Sequence, residues 1–259
     1  MIDDSLPRGV LCDMDGVLIR DDAMIKGADE FLNRLEKTGR DYLVVTNNSL
    51  YSPRVLQQRL ESLGLSVARE RLWTSPLATA RFVSDQRPRG TAFIIGENCL
   101  HEALADVGYR ERSEQVDFVV LGETWDYCFD EFVTAIRLLE QGGRFVATNP
   151  EASGAGRAGT MPGCGAMAAL LERASGVTPF FVGKPNPLML LEAARTMGST
   201  SATTLMIGDR MDTDVLAATQ AGMASVLVLT GVSDARDAER YPYRPNWVVD
   251  SVADLIDRC

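Results

Sequence analysis

Histidine is nearly missing from this chain: His101, in a helix-like stretch, is the single one among 259 residues. That scarcity argues against Ser-His-Asp and Cys-His chemistry and against metal sites built on several imidazoles. Positive charge is also short. Twenty-six Lys and Arg face 36 Asp and Glu, giving a net charge of -10 and a pI of about 4.7. Such a surface repels phosphodiester backbones and anionic lipid, so neither a nucleic acid polymer nor a membrane is an expected partner. No apolar run reaches the roughly 20 residues of a membrane-spanning helix. The start of the chain, with Asp3 and Asp4, has no apolar signal-peptide core. The five cysteines, at 12, 99, 128, 164 and 259, form no C-x-x-C pair. They fit neither a disulfide framework nor a zinc site and point to reduced thiols in a cytoplasm. A Walker A pattern is missing, and no cysteine is followed six residues later by arginine, which leaves P-loop and cysteine-phosphatase chemistry unsupported.

What is present is an ordinary soluble composition, 46% hydrophobic and 24% charged, enough for a well-filled core in one large domain or two small ones. Short apolar runs alternate with helical spacing. Strands are expected at 10–12, 42–45, 72–73, 92–95, 118–121, 145–148, 180–182, 205–207, 226–229 and 247–249. Helices are expected over 27–38, 53–63, 75–84, 99–107, 129–140, 163–174 and 188–197, from 213 to Gly222, and from 252 onward. The polar run 85–90 reads as a boundary. Strands alternating with helices imply parallel sheets of βαβ units, and open sheets of that kind bind ligands outside the carboxyl ends of their strands.

The polar residues gather at those ends. The run Val10-Leu11-Cys12 leads into Asp13-Met14-Asp15-Gly16, the run 42–45 into Thr46-Asn47, and the run 205–207 into Gly208-Asp209, with Asp212 and Asp214 close behind. Two carboxylates at i and i+2 project to one side of a strand. Like charges that close raise one pKa unless a divalent cation, or a division of labour in which one acid keeps a proton, offsets them. For a phosphate monoester with Mg²⁺, Asp13 and Asp209 can supply metal ligands and Asp13 a nucleophilic oxygen. Asp15 can protonate the leaving oxygen and then activate water. Thr46 and Asn47 can hydrogen-bond the phosphoryl oxygens, and Lys184 can neutralise developing charge. Each piece alone has a plainer reading: a capping pair for Asp13 and Asp15, a turn at 46–49, a surface cation at Lys184, and dipole complements at 209–214.

Taken in order, Asp13-Met14-Asp15-Gly16-Val17, Val45-Thr46-Asn47-Asn48-Ser49, Gly183-Lys184-Pro185 and Gly208-Asp209-Arg210-Met211-Asp212-Thr213-Asp214 resemble the four motifs of the haloacid dehalogenase superfamily. The nearest resemblance is to its NagD-type branch, subfamily IIA, and it spans nearly the whole chain. Ala147-Thr148-Asn149-Pro150 and Leu229-Thr230-Gly231-Val232 also look like that branch. The resemblance implies a doubly wound, Rossmann-like parallel-sheet core with an inserted α/β cap of the C2 type. The core would be 1–84 and 183–259, and the cap, which governs substrate choice, 85–182. The 137-residue offset between Asn47 and Lys184 leaves room for the cap there.

It further implies a Mg²⁺-dependent phosphatase with Asp13 as nucleophile. Asp15 would be acid/base and lend a backbone carbonyl to the metal, while Asp209 and Asp214 would hold or support it. Thr46, Asn47 and Lys184 would bind phosphate, and Arg210, Met211, Asp212 and Thr213 would line the substrate site. Asp15 argues against dehalogenase activity. A nucleoside 5'-monophosphate is the first expected substrate, with sugar, three-carbon or pyridoxal phosphates as alternatives. A non-catalytic phosphate-ligand binder and a phosphotransferase are more distant readings. The expected setting is cytoplasmic, as monomer or cap-mediated homodimer. Gly154-Ala155-Gly156-Arg157-Ala158-Gly159 matches G-x-G-x-x-G, yet Asn149-Pro150 precedes it and Thr160-Met161-Pro162 follows, so no helix opens within it. A glycine-rich cap loop at 149–165, with Arg157 near the substrate, is the expectation.

Overall fold

The computed structural model describes residues 6–156 and 159–259, so Asp3, Asp4 and Arg157 lie outside the described residues. The chain forms two compact units. One holds the residues up to Thr46 together with Pro53–Trp73 and Lys184–Cys259; the other holds Asn47–Ser52 and Thr74–Gly183. The segment 75–84, read from sequence with the core, folds as the helix Ser75–Gln86 beside Asn98–Asp106 and belongs to the second unit.

The first unit is organised by a six-stranded sheet in the order Trp247–Val249, Ala224–Val228, Thr204–Gly208, Gly9–Asp13, Asp41–Thr46, Leu72–Thr74. Gly9–Asp13 is buried at every residue and runs parallel to both neighbours, with Cys12 opposite Ile207 and Asp13 opposite Val45. A strand covered on both faces must read as a continuous apolar run, which is why Val10-Leu11-Cys12 lacks polar alternation. The chain winds outward from this strand through Asp41–Thr46, then returns to its other side at Thr204–Gly208 and winds the opposite way. The sheet therefore reverses between Gly9–Asp13 and Thr204–Gly208, and such a switch point opens a crevice at the carboxyl ends. Helix Ala28–Lys37 buries Ala28, Phe31, Leu32 and Leu35, the spacing of one helical face. Each large side chain so buried contributes about 1.5–3 kcal/mol.

The second unit has its own five-stranded parallel sheet, in the order Phe180–Phe181, Arg144–Ala147, Phe118–Leu121, Thr91–Ile95, Arg110–Glu111. Helices Phe129–Glu140 and Cys164–Ser175 close a core of Val119, Leu121, Phe132, Leu138, Leu139, Phe145 and Leu171. The glycine-rich stretch is not a plain loop. Ser153–Gly156 pairs antiparallel with Gly159–Pro162, so backbone hydrogen bonding supplies the order that its side chains do not signal.

Candidate active site

Three carboxylates meet at the switch point. Asp13 closes the first strand, Asp209 follows Thr204–Gly208, and Asp214 stands in the next turn. One oxygen from each lies within 4.8 Å of the others, and all three residues are buried. Asp214 is brought inward by a widened turn, Met211–Val215, ahead of the helix Leu216–Ala221. The Asp214 and Val215 amides both donate to the Arg210 carbonyl at 3.1 Å, the second across five residues. Such π-type turns recur at functional sites because they re-aim a side chain. The spacing predicts an ordinary helix from 213; the observed turn is wider.

Lys184 is the cation of the cluster. Its Nζ donates to Asp13 Oδ1 at 2.6 Å, to Asp214 Oδ1 at 2.7 Å and to the Val45 carbonyl at 3.3 Å, and the residue is only 3% exposed. Two neighbouring carboxylates hold its ammonium well above the usual lysine range despite burial. One ammonium does not balance three acids. Burial raises the Asp13 carboxyl well above its ordinary value; Lys184 opposes the shift, and the Asp214 and Asp209 charges add to it. Asp209 is pushed up to about 6, by burial first and by Asp214 second. A buried cluster with excess negative charge and hard oxygen donors fits a divalent cation such as Mg²⁺. Asp13, Asp209 and Asp214 are the side chains that would hold it.

Gly16 wedges against this site with φ +81°, and a Cβ there would collide with the Asp209 carboxylate. Only glycine combines that backbone with so close an approach. Asp15, between Asp13 and Gly16, is exposed and stands outside the buried triad. Thr46 is buried at the end of Asp41–Thr46. Asn47 belongs to the second unit. Its Nδ2 donates to Glu151 Oε1 at 3.1 Å, and its carbonyl accepts from Ser75 Oγ at 2.7 Å and Asn149 Nδ2 at 3.1 Å.

The segment 210–213 divides. Arg210 makes a two-pronged contact with Asp212 (Nε–Oδ1 3.0 Å, Nη2–Oδ2 2.9 Å), which holds the Asp212 carboxyl below its usual range. Thr213 is buried. Met211, expected at the substrate, has its side chain wholly buried with Val215, Leu227 and Ala238. Its N–H donates to Ser233 Oγ and its carbonyl accepts from the Tyr243 hydroxyl. Met211 is core, because an apolar residue one turn from a buried carboxylate is drawn to the apolar side of that turn. Thr230, Gly231, Val232 and Ser233 are not among the residues expected at the site, yet they touch the Asp209 and Gly16 segments. Their only signal was the resemblance of Leu229-Thr230-Gly231-Val232 to the branch.

Known proteins resemble this chain along nearly its whole length. A family model for haloacid dehalogenase-like hydrolases matches residues 10–110, and a HAD-hydrolase-like model matches 181–255. Dihydroxyacetone phosphatase of Corynebacterium glutamicum (strain R) is 47% identical over 247 residues, covering 95% of this chain and 90% of the relative. Ribonucleotide monophosphatase NagD of Escherichia coli (strain K12) is 38% identical over 248 residues, covering 96% and 98%. The solved structure of NagD from E. coli K-12 superposes with a TM-score of 0.92 at 37% identity, covering 96% of this chain and 98% of that one. The doubly wound fold is that of a haloacid dehalogenase-like hydrolase, and the chain belongs to that family. Within the family it is of the NagD type, and it is a phosphatase.

Proposed function

We propose that this phosphatase hydrolyses a small phosphate monoester through an aspartyl-phosphate on Asp13, with Mg²⁺ as its metal. The observation that carries the reading is the Asp13–Lys184–Asp214 contact beside Asp209, three buried carboxylates with one ammonium. Bound Mg²⁺ would supply a Lewis acid and the missing positive charge. An Asp13 oxygen attacks phosphorus while the bond to the leaving oxygen breaks, and Asp15 delivers a proton to that oxygen. Asp15 then takes a proton from water. The hydroxide attacks phosphorus, inorganic phosphate departs and the Asp13 carboxylate returns. Lys184 holds the nucleophile in one orientation and offsets charge on the phosphoryl group. Thr46 and Asn47 donate to phosphoryl oxygens, and Arg210, Asp212 and Thr213 contribute to the substrate side. The second unit acts as the cap that selects the leaving group.

A three-carbon phosphate ester is the first substrate class to test, because the relative at 47% identity is named dihydroxyacetone phosphatase. Ribonucleoside 5'-monophosphates come next, from the relative at 38%. The test is phosphate release with Mg²⁺ over a panel containing dihydroxyacetone phosphate, nucleoside monophosphates, sugar phosphates and pyridoxal phosphate. At least one class is turned over, and turnover stops on exhaustive chelation. Activity that persists without metal would remove the Asp13/Asp209 site, and binding of esters without phosphate release would mark a non-catalytic binder.

A further inference from the structure

The loop after strand Ala224–Val228 encloses Asp209. The Val232 N–H donates to Asp209 Oδ2 at 2.7 Å, and the Ser233 N–H donates to the Asp209 carbonyl at 3.0 Å. Ser233 Oγ accepts from the Met211 N–H at 3.0 Å, so the same loop grips the chain at Asp209 and two residues later. At Gly231 the backbone lies so close to the Asp209 carboxylate that any Cβ would collide with it. Gly16 walls the same oxygen from its own side. Thr230 Oγ1 donates to the Gly16 carbonyl at 2.6 Å, and Arg20 Nη1 donates to the Thr230 carbonyl at 3.1 Å. Three segments from distant parts of the chain, Gly16, 209–211 and 230–233, are thus tied into one hydrogen-bonded block.

A carboxylate next to a cation has two oxygens and a free χ2 rotation. A ligand that swings between them binds metal less well than one whose second oxygen is occupied. Here the occupied oxygen is Oδ2, with a backbone donor and a glycine on either side. We infer that Thr230-Gly231-Val232-Ser233 is a positioning element that fixes the Asp209 carboxylate in one orientation and so prepares it to hold the metal ion. The loop supplies no metal ligand; it acts through Asp209 alone. The inference rests on the reading of Asp209 as a metal ligand given above.

The test titrates the purified, metal-free full chain with MgCl2 alone, by calorimetry, so that no turnover is needed. Ser233→Ala removes the acceptor for the Met211 N–H, and Gly231→Ala forces the loop off Asp209. Each weakens Mg²⁺ binding by about tenfold or more, the usual cost of losing an outer partner of a ligand, and Ser233→Thr restores it. At saturating Mg²⁺ the Ser233→Ala enzyme recovers most of its kcat, a split that general unfolding would not produce. If Gly231→Ala fails to fold, Ser233→Ala decides. Wild-type Mg²⁺ affinity in folded Ser233→Ala, alongside lost binding in Asp209→Asn, would overturn the loop's role and leave the metal site standing. Unchanged Mg²⁺ binding in Asp209→Asn would overturn both.

Discussion

Each unit of this chain carries a parallel sheet with polar side chains at its strand ends, and the two clusters are held together differently. In the first unit, Asp13 and Asp214 share the ammonium of Lys184, and the Asp209 carboxylate lies beside them. In the second, Ser49 Oγ donates to Glu123 Oε2 at 2.8 Å, and the Glu123 N–H donates back to Ser49 Oγ at 3.1 Å. Thr148 Oγ1 donates to the same hydroxyl at 3.3 Å, and Asn149 Oδ1 accepts from the Glu151 N–H at 3.1 Å. Burial pushes the Glu123 carboxyl up and the Glu151 charge adds to the shift, while the donors that oppose it, Ser49 and Asn149, are neutral. The second cluster is a satisfied hydrogen-bond network of the kind that fixes a loop. The first is short of positive charge, a defect in a structural element and a requirement in a site that must take up a cation. Topology alone does not separate them; what does is three carboxylate oxygens within 4.8 Å of one another, with a buried ammonium bonded to two of the residues.

The sharpest break in the comparison comes from removing one of the crowded charges. Asp13→Asn lowers turnover by more than about 10³-fold, as loss of a nucleophile does. Its metal-free thermal stability stays level or rises, because one of three like charges has gone. Phosphate release and a thermal melt check both halves. A variant of near-normal activity would take the nucleophile away from Asp13.

Removing the cation acts the other way. Lys184→Met leaves two buried carboxylates unpaired, and breaking a buried pair by deleting one partner costs about 3–5 kcal/mol. Urea unfolding of the metal-free chain measures it. Part of the loss returns in the Lys184→Met/Asp214→Asn double variant, since the second change removes one of the orphaned charges. A loss below about 1 kcal/mol, the range of exposed pairs, would mean that Lys184 is not clamped as described.

A smaller effect follows from pH. Asp209 in the fold holds its proton up to about 6, and Asp13 is shifted in the same direction. A folded-state value above the unfolded one means that Asp209 favours the fold below the ordinary carboxylate range of about 4, that this advantage is lost as pH rises through about 6, and that Asp13 acts in the same direction. Mg²⁺ competes with those protons. For one group titrating near 6, its apparent affinity falls by about tenfold between pH 7 and pH 5. Magnesium titrations across that range test the direction, and an affinity flat with pH would contradict a site built on Asp209.

Much of the first cluster was legible in the sequence, because its members end apolar runs that can only be buried strands: Asp13 after Val10-Leu11-Cys12, and Asp209 after Leu205-Met206-Ile207. What stayed hidden has physical causes. The hairpin of Ile19–Arg20 with Ala23–Met24 is two residues a side, too short to show periodicity. The hairpin Ser153–Gly156 with Gly159–Pro162 is held by backbone in a sequence of low β propensity. Met211 sits among charged residues, and only the widened turn shows it facing the core. Val232 and Ser233 reach Asp209 through main-chain N–H groups, which every residue type carries and no motif of side chains encodes.

The mildest change probes the second cluster. Glu123→Gln copies the protonated acid in shape and keeps an acceptor for the Ser49 hydroxyl. Because the folded-state pKa of Glu123 is raised, the acid's favourable contribution is complete below the unfolded value and fades as pH climbs through the folded one. The variant has no such proton to lose. At acid pH its unfolding free energy stays within about 1 kcal/mol of the parent, since a neutral hydrogen bond replaces a neutral hydrogen bond. With rising pH the parent loses ground to it. Its Mg²⁺ affinity is unchanged, because none of the carboxylates in the acidic triad has been touched. Denaturation curves at several pH values, with a magnesium titration beside them, give both readings. A loss as large as that of Lys184→Met would show that Glu123 is a charge held at some cost, and the contrast between the two strand-end clusters would fail on that result.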